Sequence, residues 1–131
     1  MRHMTFAALV VLLATGVYAH HSHPDFLDNR VVTVEGRVES LKYENPHSQI
    51  TLLTADGVLY TIEWKAGPQL RMASTQCYSR IYSDTLNIGD RLVVVGFPPR
   101  DPLRYELANL KQVTRPADGW RWWLDDPRCR N

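Results

Sequence analysis

The stretch VVTVEGRVES, Val31–Ser40, decides the fold because its apolar and polar residues alternate. One face of the alternation carries Val32, Val34, Gly36, Val38 and Ser40, and the other carries Thr33, Glu35, Arg37 and Glu39. A period of two residues is typical of a β-strand with one buried face. We therefore predict a first strand here, long enough to bend at Gly36 and to serve both halves of a barrel.

Four further strands and one helix are predicted downstream. The strands are expected at Ser48–Thr54, Val58–Trp64, Arg91–Phe97 and Tyr105–Val113. Asp56-Gly57 predicts a hairpin between the second and third strands, since glycine readily takes the positive φ of tight turns. Pro68 begins a short helical pattern that continues through Leu70, Met72 and Ala73, and its far end, through Tyr78 and Tyr82, stays open. The helix then falls between the third and fourth strands.

This order of elements indicates a mainly β protein, a small five-stranded OB-like Greek-key barrel with one short helix between strands 3 and 4. A flat five-stranded sheet with one covering helix is the alternative, because periodicity alone does not separate the two. We assign the barrel domain to residues 31–115. A histidine-containing segment, 20–30, precedes it. The Trp-rich tail, 116–131, is expected to be irregular or to lie back over an open barrel face, tied there by Cys129.

The first 19 residues have the features of a secretory signal peptide. Arg2 supplies a positive charge, the run Phe6–Val17 is almost wholly apolar, and Val17-Tyr18-Ala19 has the small-residue spacing of a cleavage site. The apolar run is shorter than the roughly 20 residues that cross a bilayer as a helix. We expect cleavage after Ala19, a periplasmic or secreted protein, and no membrane span in the mature chain. A retained membrane anchor is the alternative.

The charge balance of the mature chain argues against one class of partner. The 15 basic residues fall to 14 with the loss of Arg2, which equals the 14 acidic residues. Nucleic-acid binding relies on a basic surface that neutralises phosphates, so no nucleic-acid partner is expected.

Cys77 and Cys129 are the two cysteines of the chain. In an oxidising compartment an even number of cysteines without C-x-x-C spacing indicates a disulfide more readily than a redox or zinc site. We therefore expect a Cys77–Cys129 disulfide. The alternative is two unpaired thiols.

The histidines are the main chemical feature. Cleavage after Ala19 leaves His20 as the free amino terminus, whose amine and imidazole form a ready chelate. His21 or His23 can add a nitrogen to the tetragonal arrangement that copper(II) favours. His47 follows a predicted break between two strands and is expected to complete the site. Zinc and nickel also accept imidazole, but the order of affinities favours copper.

A plainer interpretation of the histidines stays open. Those near the terminus are then solvated polar residues, and His47 hydrogen-bonds a backbone carbonyl within its turn. If a metal is bound, Glu44, Asp25 and Asp28 are candidates to orient an imidazole from the outer shell.

Several short motifs in order carry a resemblance to a known family. They are His20-His21-Ser22, Val34-Glu35-Gly36, Asn45-Pro46-His47, Gly89-Asp90 and Gly96-Phe97-Pro98-Pro99-Arg100-Asp101. Together they resemble the DUF6152-like exported bacterial proteins of unknown function, over roughly His20 to Val113. The resemblance implies an OB-like periplasmic domain in which the His-His-Ser start and the Asn-Pro-His turn belong to one design. It implies no activity.

The chain departs from that pattern in three places. His23-Pro24 stands where an aromatic residue commonly follows His-His-Ser, and the segment Cys77–Tyr82 and the tryptophan-rich tail look like additions. A ligand or partner shared throughout the group therefore does not follow from the resemblance.

Our leading hypothesis is a non-enzymatic periplasmic binding module that holds copper(II) through His20, His21 or His23, and His47. The alternative is an accessory protein whose barrel face or tryptophan tail docks to an exported or membrane-bound redox enzyme. A third interpretation, a small redox enzyme with a histidine-ligated copper, lacks a readable water-excluding substrate site. No catalytic residue is therefore assigned.

Overall fold

The computed structural model describes residues 24–71 and 81–124. The elements in chain order are β1 (Val32–Lys42), β2 (Gln49–Leu53), β3 (Leu59–Glu63), α1 (Gly67–Arg71), β4 (Arg91–Phe97), β5 (Glu106–Arg115) and β6 (Trp120–Trp123). The predicted helix between the third and fourth strands is confirmed. No helix within the described ranges has the length and apolar character needed to cross a membrane.

The sheet closes on itself. Its strand order is β3-β2-β1-β4-β5-β6, with an additional pairing between β3 and β5. That additional pairing is parallel and joins Thr61 to Glu106 and Ile62 to Leu107. Strands β1 to β5 therefore form the expected OB-like barrel, and the flat-sheet alternative is wrong.

β1 changes neighbours along its length. Val32–Arg37 pairs with β4, and from Arg37 onward the strand pairs with β2, with an irregularity between Val38 and Ser40. A Cβ at Gly36 would lie 2.8 Å from the Leu53 carbonyl oxygen, a distance that real Cβ atoms essentially never show. Glycine is thus required where β1 meets the end of β2.

The barrel interior is filled by the apolar side of each alternating strand. The largest buried side chains are Trp64, Ile50, Leu52, Ile62, Leu70, Ile81, Leu86, Leu92, Leu107, Leu110, Val38 and Val94. The inward face predicted for β1 is confirmed, because Val34 and Val38 lie in this core. Close packing of this kind is what makes strand register specific, since a one-residue slip would expose the whole apolar face.

The expectation of an irregular tail is wrong for Trp120–Trp123. These residues form β6, which runs antiparallel to the end of β5 after a turn at Gly119, where φ is 72°. Trp122 is only 2% exposed and packs edge to face against Trp64, with ring centroids 5.1 Å apart. The sequence Trp-Arg-Trp-Trp is short and does not alternate, so it lacks the signal of a strand. Cys129 lies outside the described residues.

Arg115 holds the β5–β6 hairpin to the segment that precedes β4. Its Nη1 donates to Asp90 Oδ2 at 2.8 Å and to the Thr85 carbonyl at 2.9 Å, and its Nη2 donates to Asp118 Oδ2 at 2.8 Å. The guanidinium also lies 5.7 Å from the ring centroid of Trp120. The hydrogen bonds to Asp118 and Asp90 raise the pKa of Arg115. The hydrogen bond from Arg115, together with a second one from the backbone N–H of Trp120, lowers the pKa of Asp118.

Candidate functional site

His47 lies in the loop between β1 and β2. The loop contains a cis peptide bond at Asn45-Pro46. It is held against the chain that follows β3, because Ser48 N donates to Lys65 O at 3.1 Å and Trp64 N donates to Ser48 O at 2.8 Å. The loop therefore presents His47 from a fixed backbone at one end of the barrel.

A carboxylate stands beside the imidazole. His47 Nδ1 lies 3.4 Å from Glu63 Oε1, and the two side chains are 29% and 27% exposed. A carboxylate next to one ring nitrogen can fix the orientation of the ring, as is usual for metal-binding histidines. His47 thus has the surroundings expected of a ligand.

Glu63 was not among the acids singled out from the sequence. The signal that finds it is the hairpin register, in which Leu53 faces Leu59 and Gln49 therefore faces Glu63. Counting back from the predicted turn at Asp56-Gly57 places Glu63 opposite the residue two positions after His47. Register, and not proximity in sequence, brings the carboxylate to the imidazole.

His47 also lines a groove of about 420 Å³, which we call the His47 groove. The groove runs from the β1–β2 loop to the middle of β5, where Asn109 and Lys111 line it, and Phe97 at the end of β4 forms part of its wall. Lys111 Nζ lies 5.4 Å from the ring centroid of Phe97. The groove therefore combines an imidazole, an ammonium group and aromatic surface.

The start of the described chain is attached to the loop that follows Phe97. Leu27 N donates to Pro98 O at 2.9 Å, and Arg100 N donates to Asp25 O at 2.7 Å. The Arg100 side chain adds a hydrogen bond from Nε to Pro24 O at 2.8 Å. Pro24–Leu27 therefore joins the barrel at the loop that follows Phe97, a residue of the groove wall.

The other predicted metal ligands and the two cysteines of the predicted disulfide lie outside the described part of the chain. These are His20, His21 and His23 of the metal site and Cys77 and Cys129 of the disulfide. Across residues 24–71 and 81–124, no group of three or more histidine, cysteine and acidic side chains is placed to hold a metal ion. The described structure brings together His47 and Glu63.

Comparison with curated proteins finds no match to this chain. A protein-family model described as a family of unknown function (DUF6152) matches residues 8–108, which agrees with the resemblance carried by the short motifs. Because the match covers most of the chain and includes both histidine motifs, this protein belongs to the DUF6152 family.

Proposed function

We propose that this protein is an exported, non-enzymatic binding module that holds copper(II) through the amino terminus at His20, through His21 or His23, and through His47. The observation that carries the proposal is the pairing of His47 with Glu63, at 3.4 Å between Nδ1 and Oε1. Such a pair supplies an oriented imidazole, which the amine and imidazole of an N-terminal histidine complement in a tetragonal copper site.

The attachment of Pro24–Leu27 supports a shared site. Four residues, 20–23, precede Pro24 in the proposed mature chain, and four extended residues reach at most about 14 Å. Pro24 is bonded to Arg100, in the loop that follows Phe97, and Phe97 lines the His47 groove. Tethering of this kind lowers the entropic cost of bringing two sets of ligands to one ion.

Intact mass spectrometry of the exported protein, with and without added copper(II), tests compartment, terminus, disulfide and metal together. We expect a chain that begins at His20, carries one Cys77–Cys129 disulfide and retains one copper ion. A start at Ala19 would place His21 third and create an amine–amide–imidazole chelate, a different site. Copper binding no tighter than that of a free peptide of sequence His-His-Ser-His-Pro would refute the proposal.

Two variants test whether residues of the barrel contribute to copper binding. His47→Gln and Glu63→Gln should each weaken copper binding by about tenfold or more, since loss of a ligand or of its orienting carboxylate typically costs that much. Glu39→Gln, the same change at an exposed position of β1, is the matched control and should bind copper as the unaltered protein does. Unchanged affinity in His47→Gln would leave a site formed by the terminus alone.

The second candidate function is docking to an exported or membrane-bound redox protein. The tryptophan tail is a poor docking surface, because Trp122 belongs to the core and Trp120 and Trp123 lie beside Arg115 and Arg121. Truncation after Arg115 would remove β6 and expose Trp64, so it cannot separate docking from folding. A groove on the barrel face is the observation that favours this candidate.

A further inference from the structure

A second groove opens between the first half of β1 and the hairpin that joins β2 to β3. We call it the β1-edge groove; its volume is about 710 Å³. Thr33 and Glu35 line one side, Asp56 of the hairpin lines the other, and Tyr60 and Tyr105 also line it. The groove is distinct from the His47 groove and shares no lining residue with it.

Among the described residues, the first half of β1 has a neighbouring strand on one side alone. β2 ends at Leu53, which faces Arg37, so the pairing of β1 with β2 goes no further toward the start of β1. Within residues 24–71 and 81–124, Val32–Gly36 pairs with β4 alone. Such an edge presents backbone N–H and C=O groups that are ready to pair with another strand.

The register identifies which backbone groups face the groove. Val38 N donates to Asp90 O at 2.8 Å, and Gly89 N donates to Val38 O at 2.8 Å, so both backbone groups of Val38 point toward β4. Because successive residues of a strand direct these groups to opposite sides, Thr33 and Glu35 direct theirs away from β4. These two residues therefore offer an N–H and a C=O each to the groove.

We propose that the β1-edge groove binds an extended peptide segment of a partner protein, which adds to β1 as a further strand. The donors and acceptors of Thr33 and Glu35 repeat every two residues, about 6.6 Å, which is the repeat of an extended polypeptide backbone. Strand addition is a general mode of peptide recognition in which main-chain hydrogen bonds supply affinity and alternate side chains supply specificity. The inference is independent of the copper site and identifies the surface for the docking function.

The residues that line the β1-edge groove indicate which peptide side chains fit it. Tyr60 and Tyr105 pack edge to face with ring centroids 5.5 Å apart, and Tyr105 remains 50% exposed. At the rim, Glu35 Oε1 accepts from Arg91 Nε at 2.7 Å, so these two charges compensate each other. The groove thus favours an apolar or aromatic side chain against the tyrosines and no strong net charge.

The opposite wall is fixed before any peptide binds. Thr54 N donates to Val58 O at 2.9 Å and Gly57 N donates to Thr54 O at 3.0 Å. The hydroxyl of Thr54 also donates to Asp56 Oδ1 at 2.5 Å. A wall that is already ordered adds little ordering cost on binding.

The test selects linear peptides from a displayed random library on the full mature protein and measures their affinity for two variants. Thr33→Pro removes an N–H that faces the groove and is not used in the pairing with β4, whereas Thr33→Ala keeps it. Selected peptides should bind Thr33→Pro about tenfold more weakly and Thr33→Ala as they bind the unaltered protein. His47→Gln should bind them normally, which separates this proposal from the copper site.

Three results would overturn the inference. They are no enrichment of any peptide, equal affinity for Thr33→Pro and Thr33→Ala, and peptide binding that appears only when residues 125–131 are deleted, which would make the chain's own tail the occupant. If Thr33→Pro fails to fold by circular dichroism, Tyr105→Ala replaces it. Loss of peptide binding in Tyr105→Ala supports the proposal, and unchanged binding contradicts it.

Discussion

β1 and β5 are the two long strands of the barrel, and each extends beyond one of its neighbours. β5 pairs with β3 at Glu106 and Leu107, and its far half, Gln112–Arg115, is paired on that side by β6. β1 pairs with β2 from Arg37 onward, while Val32–Gly36 has no described strand on that side. The chain covers one of the two exposed edges with its own residues and leaves the other open among the described residues.

With the proposed strand addition, the covered edge would serve stability and the open edge recognition. The strand that covers β5 inserts Trp122 into the core against Trp64 and is anchored through Arg115. The open edge of β1 carries a charged side chain at Glu35, a common means of preventing uncontrolled pairing between edges. We infer that the β5 side contributes to folding and that the β1 side is kept available for a partner.

The largest effect is expected on the covered edge. Trp122→Ala should lower the free energy of unfolding by about 3–5 kcal/mol, because it leaves a cavity beside Trp64. Chemical denaturation measures the loss, and Leu103→Ala, at an exposed residue, is the control that should change little. A loss below about 1 kcal/mol in Trp122→Ala would show that β6 is not part of the folded barrel.

The second-largest effect on stability is expected at Gly36, next to the point where the pairing of β1 with β2 ends. Gly36→Ala should destabilise the protein by up to about 3 kcal/mol, since the added Cβ meets the Leu53 carbonyl oxygen and backbone must shift. Thermal unfolding tests this, with Glu39→Ala on the same strand as the control. A neutral Gly36→Ala would mean that β1 and β2 do not approach as closely as the structure shows.

A smaller, pH-dependent effect is expected at the β5–β6 turn. The native pKa of Asp118 is lowered first by its hydrogen bond from Arg115, so the carboxylate stabilises the fold above its unfolded pKa, about 3.9. This contribution is lost as the pH falls through the lower native pKa. Asp118→Asn should therefore be less stable than the unaltered protein at neutral pH, and the gap should close in acid. Denaturation curves across that range test it, with exposed Asp28→Asn as the control.

The smallest effect on stability is expected at the open edge. Tyr105→Ala should lower the free energy of unfolding by about 1 kcal/mol or less, because half of the side chain is already in solvent and the rest packs against Tyr60. The same variant should lose binding of the peptides selected on the β1-edge groove. A large loss of stability in this variant would mean that the groove is a structural part of the barrel and would remove the contrast between the two edges.

Most of the barrel follows from local patterns. The alternation of Val31–Ser40 predicted β1, Asp56-Gly57 predicted the β2–β3 turn, and Gly89 lies at the predicted turn before β4 with φ of 94°. β6 was not predicted, because four residues without alternation become a strand only when β5 offers an edge and Trp64 offers a packing surface. The same holds for the candidate site. His47 could be singled out from the sequence because imidazole is a common metal ligand, whereas nothing in the local sequence pointed to its neighbour Glu63.

The sequence by itself determined the mainly β class, the order of five strands and one helix, the likeness to a family and the histidines that make copper a candidate, since each depends on residue type and short-range spacing. Only the tertiary structure decided that Glu63 lies beside His47, that Trp122 completes the core and that the first half of β1 has no second neighbour among the described strands. These features arise from strand register and barrel closure, which join residues far apart in the chain. Their physical origin is the burial of one continuous apolar interior, which no short segment specifies alone.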